Sequence, residues 1–281
     1  MKIEVKNYMC SCPNCNGCGD EIDPIGKHIC MAMDGMSLQE ACKLAKELKG
    51  EIVCIKVNDL IVAEGLNTIV TQLGHFAPYV WGDIKANETS GTMRNSIEKA
   101  IKSGASIVTV HLSNGNEALA TAVETAKGKI VLVGITILSS DTEQDVKRRY
   151  NKSIDEMVDS YLEYGKELGF RSIVCSGPQA LRLLEENLLG DVVPVIPGMR
   201  SLTSSQKEKE GFNPQAQSEA IEKVVCALVG AGKDFMIVIG SEVYRSEDPR
   251  QKLLDIKSSI NRALESEGLE MPDEMPFSVG I

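Results

Sequence analysis

The sequence has no block of basic residues. Its 30 lysines and arginines are scattered and outnumbered by 40 aspartates and glutamates, leaving a formal charge of −10. A nucleic-acid groove or an anionic membrane surface needs clustered lysine and arginine, so neither is expected as a partner. Nor does any apolar run approach the roughly 18 residues of a membrane span. The opening MKIEVKNYMCSC lacks the apolar core of a signal peptide. The expected location is therefore cytoplasmic. Aromatic residues make up only 4% of the chain, against 43% hydrophobic residues in all. The core must be aliphatic, and the material suffices for one large domain, since (β/α) barrels of about 250 residues fold as one.

Cysteine is present but unevenly placed. Cys10, Cys12, Cys15, Cys18 and Cys30 fall early, whereas Cys42, Cys54, Cys175 and Cys226 sit in apolar periodic segments. In a reducing compartment the later four behave as small buried hydrophobes. The run C-S-C-P-N-C-N-G-C brings Cys10, Cys12, Cys15 and Cys18 close enough to converge on a zinc ion or an iron–sulfur cluster. Metal binding is the expectation, with a reduced tail or a local disulfide left open. The chain divides into a Cys-rich N-terminal extension, residues 1–27, and a barrel domain, residues 28–281.

From His28 onward, β-rich runs alternate with helical patterns, the mark of repeated parallel βα units. The strand candidates are HICMAMD, EIVCIKV, YVWGDIK, SIVTVH, KIVLVGITIL, RSIVCS, VVPVIPG and FMIVIG. Helix starts carry their own punctuation. Ser37 with Glu40, and Ser153 with Glu156, are capping boxes, and Asn213-Pro214 and Asp248-Pro249 pair an N-cap with a first-turn proline. The fold class is α/β, closing as a (β/α)8 TIM barrel. An open doubly wound sheet would favour a glycine-rich turn after the first strand, where Asp34-Gly35-Met36-Ser37 offers one glycine. The polar stretch MRSLTSSQKEKEGF after the seventh strand reads as a lid over a ligand.

Reactive groups of such a barrel sit at the C-terminal ends of its strands. Asp83 and Lys85 end the third strand, and alternation puts both on one face with Ile84 opposite. Lys56 ends the second strand, Asp34 the first, and Glu88 follows just beyond the third. Lys56, Asp83, Lys85 and Glu88 can form an alternating array in which each charge favours its neighbour's ionised form. An ammonium beside a buried carboxylate can protonate a carbanion, while the carboxylate disfavours a substrate carboxylate pressed against it. That combination fits decarboxylation without a cofactor.

In order along the chain, A-M-D with Asp34, I-K-V-N with Lys56, D-I-K-A-N-E-T-S-G-T, S-I-V-T-V-H with His111, T-I-L-S-S, I-V-C-S and P-G-M-R resemble the orotidine 5'-monophosphate decarboxylase family. The resemblance spans about residues 30 to 255. It implies that Lys85 donates the proton to C6 of the pyrimidine, that Asp83 faces the departing carboxyl group and that Lys56 orients it. It further implies that Asp34 and Thr92 bind the ribose, Ser140 the base, and the Pro197-Gly198 loop with Gln206 the phosphate. Glu88 and Thr92 would reach the site from a second subunit, so the resemblance implies a homodimer acting on a nucleotide with no cofactor in the chemistry.

Two positions depart from the family pattern. Glu88 stands where the family has an aspartate, one methylene shorter, and small misplacements in such a constellation cost rate. Gly240-Ser241 stands where the family has Gly-Arg, so a forked guanidinium on the phosphate is missing; Gly240 and Ser241 retain backbone N–H groups, and Arg245 is a nearby substitute. Three readings follow: an orotidine-phosphate decarboxylase, a decarboxylase or lyase of the same superfamily with another substrate, and a non-catalytic ligand-binding barrel. The related metal-dependent 3-keto-gulonate-6-phosphate decarboxylases and hexulose-phosphate synthases carry an acidic metal ligand near the position of Lys56, and a lysine there argues against Mg²⁺.

Overall fold

In the computed structural model of the protein, residues 21–201 and 220–277 are described. Eight parallel strands, β1 (Ile29–Ala32), β2 (Cys54–Val57), β3 (Tyr79–Ala86), β4 (Ile107–His111), β5 (Val131–Ile135), β6 (Ser172–Val174), β7 (Val193–Pro197) and β8 (Met236–Ile239), close in sequence order. The ring is sealed by β8 on β1, with Cys30 opposite Val238. Around it run α1 (Leu38–Glu47), α2 (Leu60–Glu64), α3 (Leu66–Leu73), α4 (Ser90–Ser103), α5 (Asn116–Ala126), α6 (Glu143–Tyr150), α7 (Ile154–Leu168), α8 (Gly177–Glu185), α9 (Ile221–Gly230), α10 (Ser241–Tyr244) and α11 (Pro249–Ser266). This is the (β/α)8 barrel that the alternation of runs implies.

Strands buried on both faces need apolar residues at successive positions. Cys30, Cys54, Trp81, Ile107, Val195 and Val238 face the barrel interior, and their chain neighbours Met31, Ile55, Val80, Val108, Ile196 and Ile237 pack outward under the helices. The helix starts at Ser37, Ser153 and Asp248-Pro249 are capped as their residue types dictate. Two further capping boxes, Thr142 with Asp145 and Ser176 with Gln179, open α6 and α8. Asn213 and Pro214 lie outside the described residues.

The N-terminal end of the barrel is closed by both ends of the described chain. Ile22, Met275 and Phe277 pack on the interior cluster, and the Tyr79 hydroxyl donates to the Phe277 carbonyl at 3.0 Å. Lys27 pairs with Asp273 at 2.6 Å, and buried Lys257 ties Asp23 (2.5 Å) to Glu51 (2.8 Å). Cys10, Cys12, Cys15 and Cys18 lie outside the described residues. Among the described residues, no helix is long and apolar enough to cross a membrane.

Candidate active site

At the C-terminal mouth, β1, β2 and β3 bring four charges together. Lys56 is in register with Ala32 on one side and Trp81 on the other, so its ammonium rises between the ends of β1 and β3. Its Nζ donates to Asp34 Oδ2 at 3.0 Å and Oδ1 at 3.2 Å, and to Asp83 Oδ2 at 3.3 Å. Lys85 Nζ meets the same Asp83 Oδ2 at 2.5 Å. Asp83 Oδ1 accepts the Thr109 hydroxyl at 2.7 Å. The observed sequence of charges is therefore Asp34, Lys56, Asp83, Lys85.

Burial grades these four groups. The Asp83 and Lys56 side chains are 8% and 10% exposed, while Lys85 and Asp34 reach 36% and 45%. Burial opposes the Asp83 carboxylate, but the Lys56 and Lys85 ammoniums, with hydrogen bonds from Lys85 and Thr109, hold its pKa below the ordinary value. Burial likewise opposes the Lys56 ammonium, and the Asp83 and Asp34 carboxylates overcome it, raising its pKa. The inner pair thus keeps its charge at neutral pH. His111, at the end of β4, is pushed down by burial and then by Lys85, against the pull of Asp83 and Asp141.

The backbone around the array is irregular. Between Gly82, opposite Val108, and Ala86, opposite Val110, the register of β3 on β4 slips, and Lys85 has a φ of 48°. A non-glycine residue in the left-handed region is uncommon and costs energy unless its surroundings hold it. Asn58 Nδ2 donates to the Asp83 carbonyl at 2.6 Å, and the Lys85 N–H donates to Thr109 Oγ1 at 2.9 Å. Just beyond the paired ends of β1 and β2, the Gly35 N–H donates to the Asp59 carboxylate at 3.0 Å, fixing the turn after Asp34.

The other expected residues that the structure describes lie in the connections and helices that follow the strands. Glu88 is not joined to Lys56, Asp83 or Lys85 by any hydrogen bond or ion pair among the described residues. Its carboxylate accepts the Ser96 hydroxyl at 2.9 Å, and Glu88 lines a groove of about 470 Å³ on the outer wall with Ile61, Leu66, Ile84 and Lys99. Thr92 is exposed on α4 and accepts from Thr89 Oγ1 at 3.2 Å. Ser140 is exposed in the β5–α6 connection. Pro197 ends β7, and Gly198 turns the chain with a φ of 73°. Gly240 and Ser241 open α10, and the Arg245 guanidinium lies 5.8 Å from the Tyr244 ring centroid. Gln206 lies outside the described residues. Among the described residues, no cluster of three or more His, Cys, Asp or Glu is arranged to hold a metal ion.

Asn58, Asp59, Thr109 and Asn114 are singled out by no motif in the sequence. Asn114 accepts the Glu88 N–H and donates to the carbonyls of Ala86 and His111. Thr109 had one available signal: it lies two residues before His111, on the inward face of its strand. The others are ordinary polar residues in loops, and only the fold shows what they hold.

The family model described as "Orotidine 5'-phosphate decarboxylase / HUMPS family" matches residues 27–256. The orotidine 5'-phosphate decarboxylase of Ehrlichia chaffeensis is 26% identical over 239 residues, covering 84% of this chain and 98% of the relative. That of Aquifex aeolicus is 30% identical over 230 residues, covering 79% and 93%. The crystal structure of orotidine 5'-phosphate decarboxylase from Pyrococcus horikoshii OT3 superimposes with a TM-score of 0.64 at 22% identity, over 83% of this chain and 99% of that one.

Proposed function

The chain belongs to the orotidine 5'-phosphate decarboxylase / HUMPS family, and on that premise we propose that it converts orotidine 5'-monophosphate to uridine 5'-monophosphate and CO2 without a cofactor. The observation that carries this reading is the single carboxylate oxygen, Asp83 Oδ2, shared by Lys85 at 2.5 Å and Lys56 at 3.3 Å in the barrel mouth. A substrate carboxylate set against a carboxylate that resists protonation is destabilised, and the repulsion is relieved as CO2 departs. The C6–carboxyl bond breaks, and its electron pair stays on C6. Lys85 Nζ gives a proton to C6 and regains one from water. Lys56 orients the pair, and Asp34 meets the ribose.

We further propose a homodimer in which Glu88 and Thr92 complete the partner's site. In one chain Glu88 turns to Ser96 on the outer wall, which supports a role outside its own array. Mixing Lys85→Ala with Glu88→Ala protein should restore about a quarter of native activity, because half of the shuffled dimers carry one intact site. No recovery after subunit exchange removes this part of the reading.

The direct test is loss of orotidine-phosphate ultraviolet absorbance on incubation with the protein. No turnover, together with no binding of a uridine-monophosphate analogue, rejects the proposal. Ser241 at the start of α10 favours a second reading, a decarboxylase of the superfamily with a substrate lacking that phosphate. A gain in orotidine-phosphate activity in Ser241→Arg would favour it.

A further inference from the structure

Thr109 stands opposite the slipped segment of β3. Gly82 faces Val108 and Ala86 faces Val110, so three residues, Asp83, Ile84 and Lys85, oppose Thr109 alone. Such a bulge leaves ladder groups unpaired and re-aims side chains. Here it draws the Asp83 and Lys85 head groups to 2.5 Å and turns Lys85 to a φ of 48°.

The Thr109 hydroxyl occupies the gap. It accepts the Lys85 N–H at 2.9 Å and donates to Asp83 Oδ1 at 2.7 Å, and Thr109 itself is 1% exposed. With its single proton committed to Oδ1, the other carboxylate oxygen is left for both ammoniums. Without that hydroxyl, the Lys85 N–H and one lone pair of the Asp83 carboxylate would lose their partners, and polar groups left unpaired where water is scarce are destabilising.

We propose that Thr109 is a positioning residue for the reaction, a clasp that holds the bulge and aims Asp83 at Lys85. The inference rests on the decarboxylase reading for its kinetic consequence and on geometry alone for its structural one. The charged and titratable groups facing Asp83 are Lys56 from β2, Lys85 from β3 and His111 from β4, with Asp34 behind Lys56.

Thr109→Val keeps the volume and removes the hydroxyl. It should lower kcat for orotidine 5'-monophosphate by about 100-fold with KM within about threefold, since small misplacements at a reacting centre are costly. The Thr109 hydrogen bond helps hold the Asp83 pKa down, so its loss should move the acid limb of the kcat profile to higher pH. Thr109→Ser should restore both. Native kcat with an unmoved acid limb in Thr109→Val overturns the proposal. Carbon-13 NMR of the Asp83 carboxylate, assigned with Asp83→Asn, needs no turnover: its titration midpoint should rise in Thr109→Val and not in Thr109→Ser. Where the native protein fails to decarboxylate, the decarboxylase reading falls and this titration alone decides the clasp, an unmoved midpoint overturning it. Thr109→Ala replaces Thr109→Val should the latter not fold.

Discussion

Lys85 combines a functional head group with a strained backbone, and the two can be separated by substitution. Lys85→Ala removes the proposed acid, yet Asp83 keeps Lys56 and the Thr109 hydroxyl as partners. Turnover should fall by about 10³-fold or more, while the circular dichroism spectrum and melting temperature stay near native. Retained turnover would reject the role. His28 carries a different expectation. Its Nδ1 lies 3.0 Å from the Pro24 carbonyl, its ring packs on Phe235, and among the described residues its buried Nε2 has no hydrogen-bond partner. Burial lowers its pKa from 6.5. Between the folded value and 6.5 the unfolded chain takes up a proton that folded His28 refuses, so stability is full above that window and falls on acidification through it. Urea midpoints should therefore drop from pH 7 to about pH 5.5, and His28→Gln should lessen that drop, leaving the share due to His111, whose pKa burial also lowers. At this scale the meeting of Lys56, Asp83 and Lys85 was legible because strand alternation and adjacent strand ends put all three at one mouth. Thr109 was not, since its role arises from a register slip that simple alternation does not contain.

At the scale of elements, the eight strands were legible because parallel strands buried on both faces read as unbroken aliphatic runs. Helix starts were legible where a side chain caps, as at Ser37 and Ser153. Less visible was the break between α2 and α3, where Gly65 with a φ of 76° splits one helical pattern into two. Gly134 in β5 shows what close packing of strand and helix layer demands. A Cβ there would sit 2.9 Å from Leu112 Cδ1 and 3.0 Å from its Cγ. Leu112 is fully buried and has nowhere to retreat. Gly134→Ala should cost about 1–3 kcal/mol by overpacking, read as a lower urea midpoint with an unchanged slope. A neutral result would mean that this layer is loose enough for Leu112 to change rotamer.

For the whole molecule, the repeating units made the closed barrel legible, whereas Pro272 and Pro276 marked only an extended tail that could pack across the barrel or a partner. The last residues contain prolines and no period, so only the fold shows Met275 and Phe277 meeting Ile22 beneath the interior cluster. Phe277 is 6% exposed, and its carbonyl receives the Tyr79 hydroxyl. Tyr79 begins β3 and Lys85 is its penultimate residue, so floor and array are separated by most of the strand's length, on the order of 15–20 Å. Barrels place chemistry at the C-terminal mouth and leave the opposite end to stability. Phe277→Ala should therefore cost about 3 kcal/mol through lost burial and the cavity left behind, while kcat and KM at a temperature well below unfolding stay native. Urea unfolding and steady-state kinetics on one preparation check both halves. A fall in kcat without a fall in stability would show that the floor is mechanically coupled to Asp83 and Lys85 along β3. In that case Tyr79→Phe, which removes only the hydroxyl bond to the tail, should reproduce part of the kinetic loss.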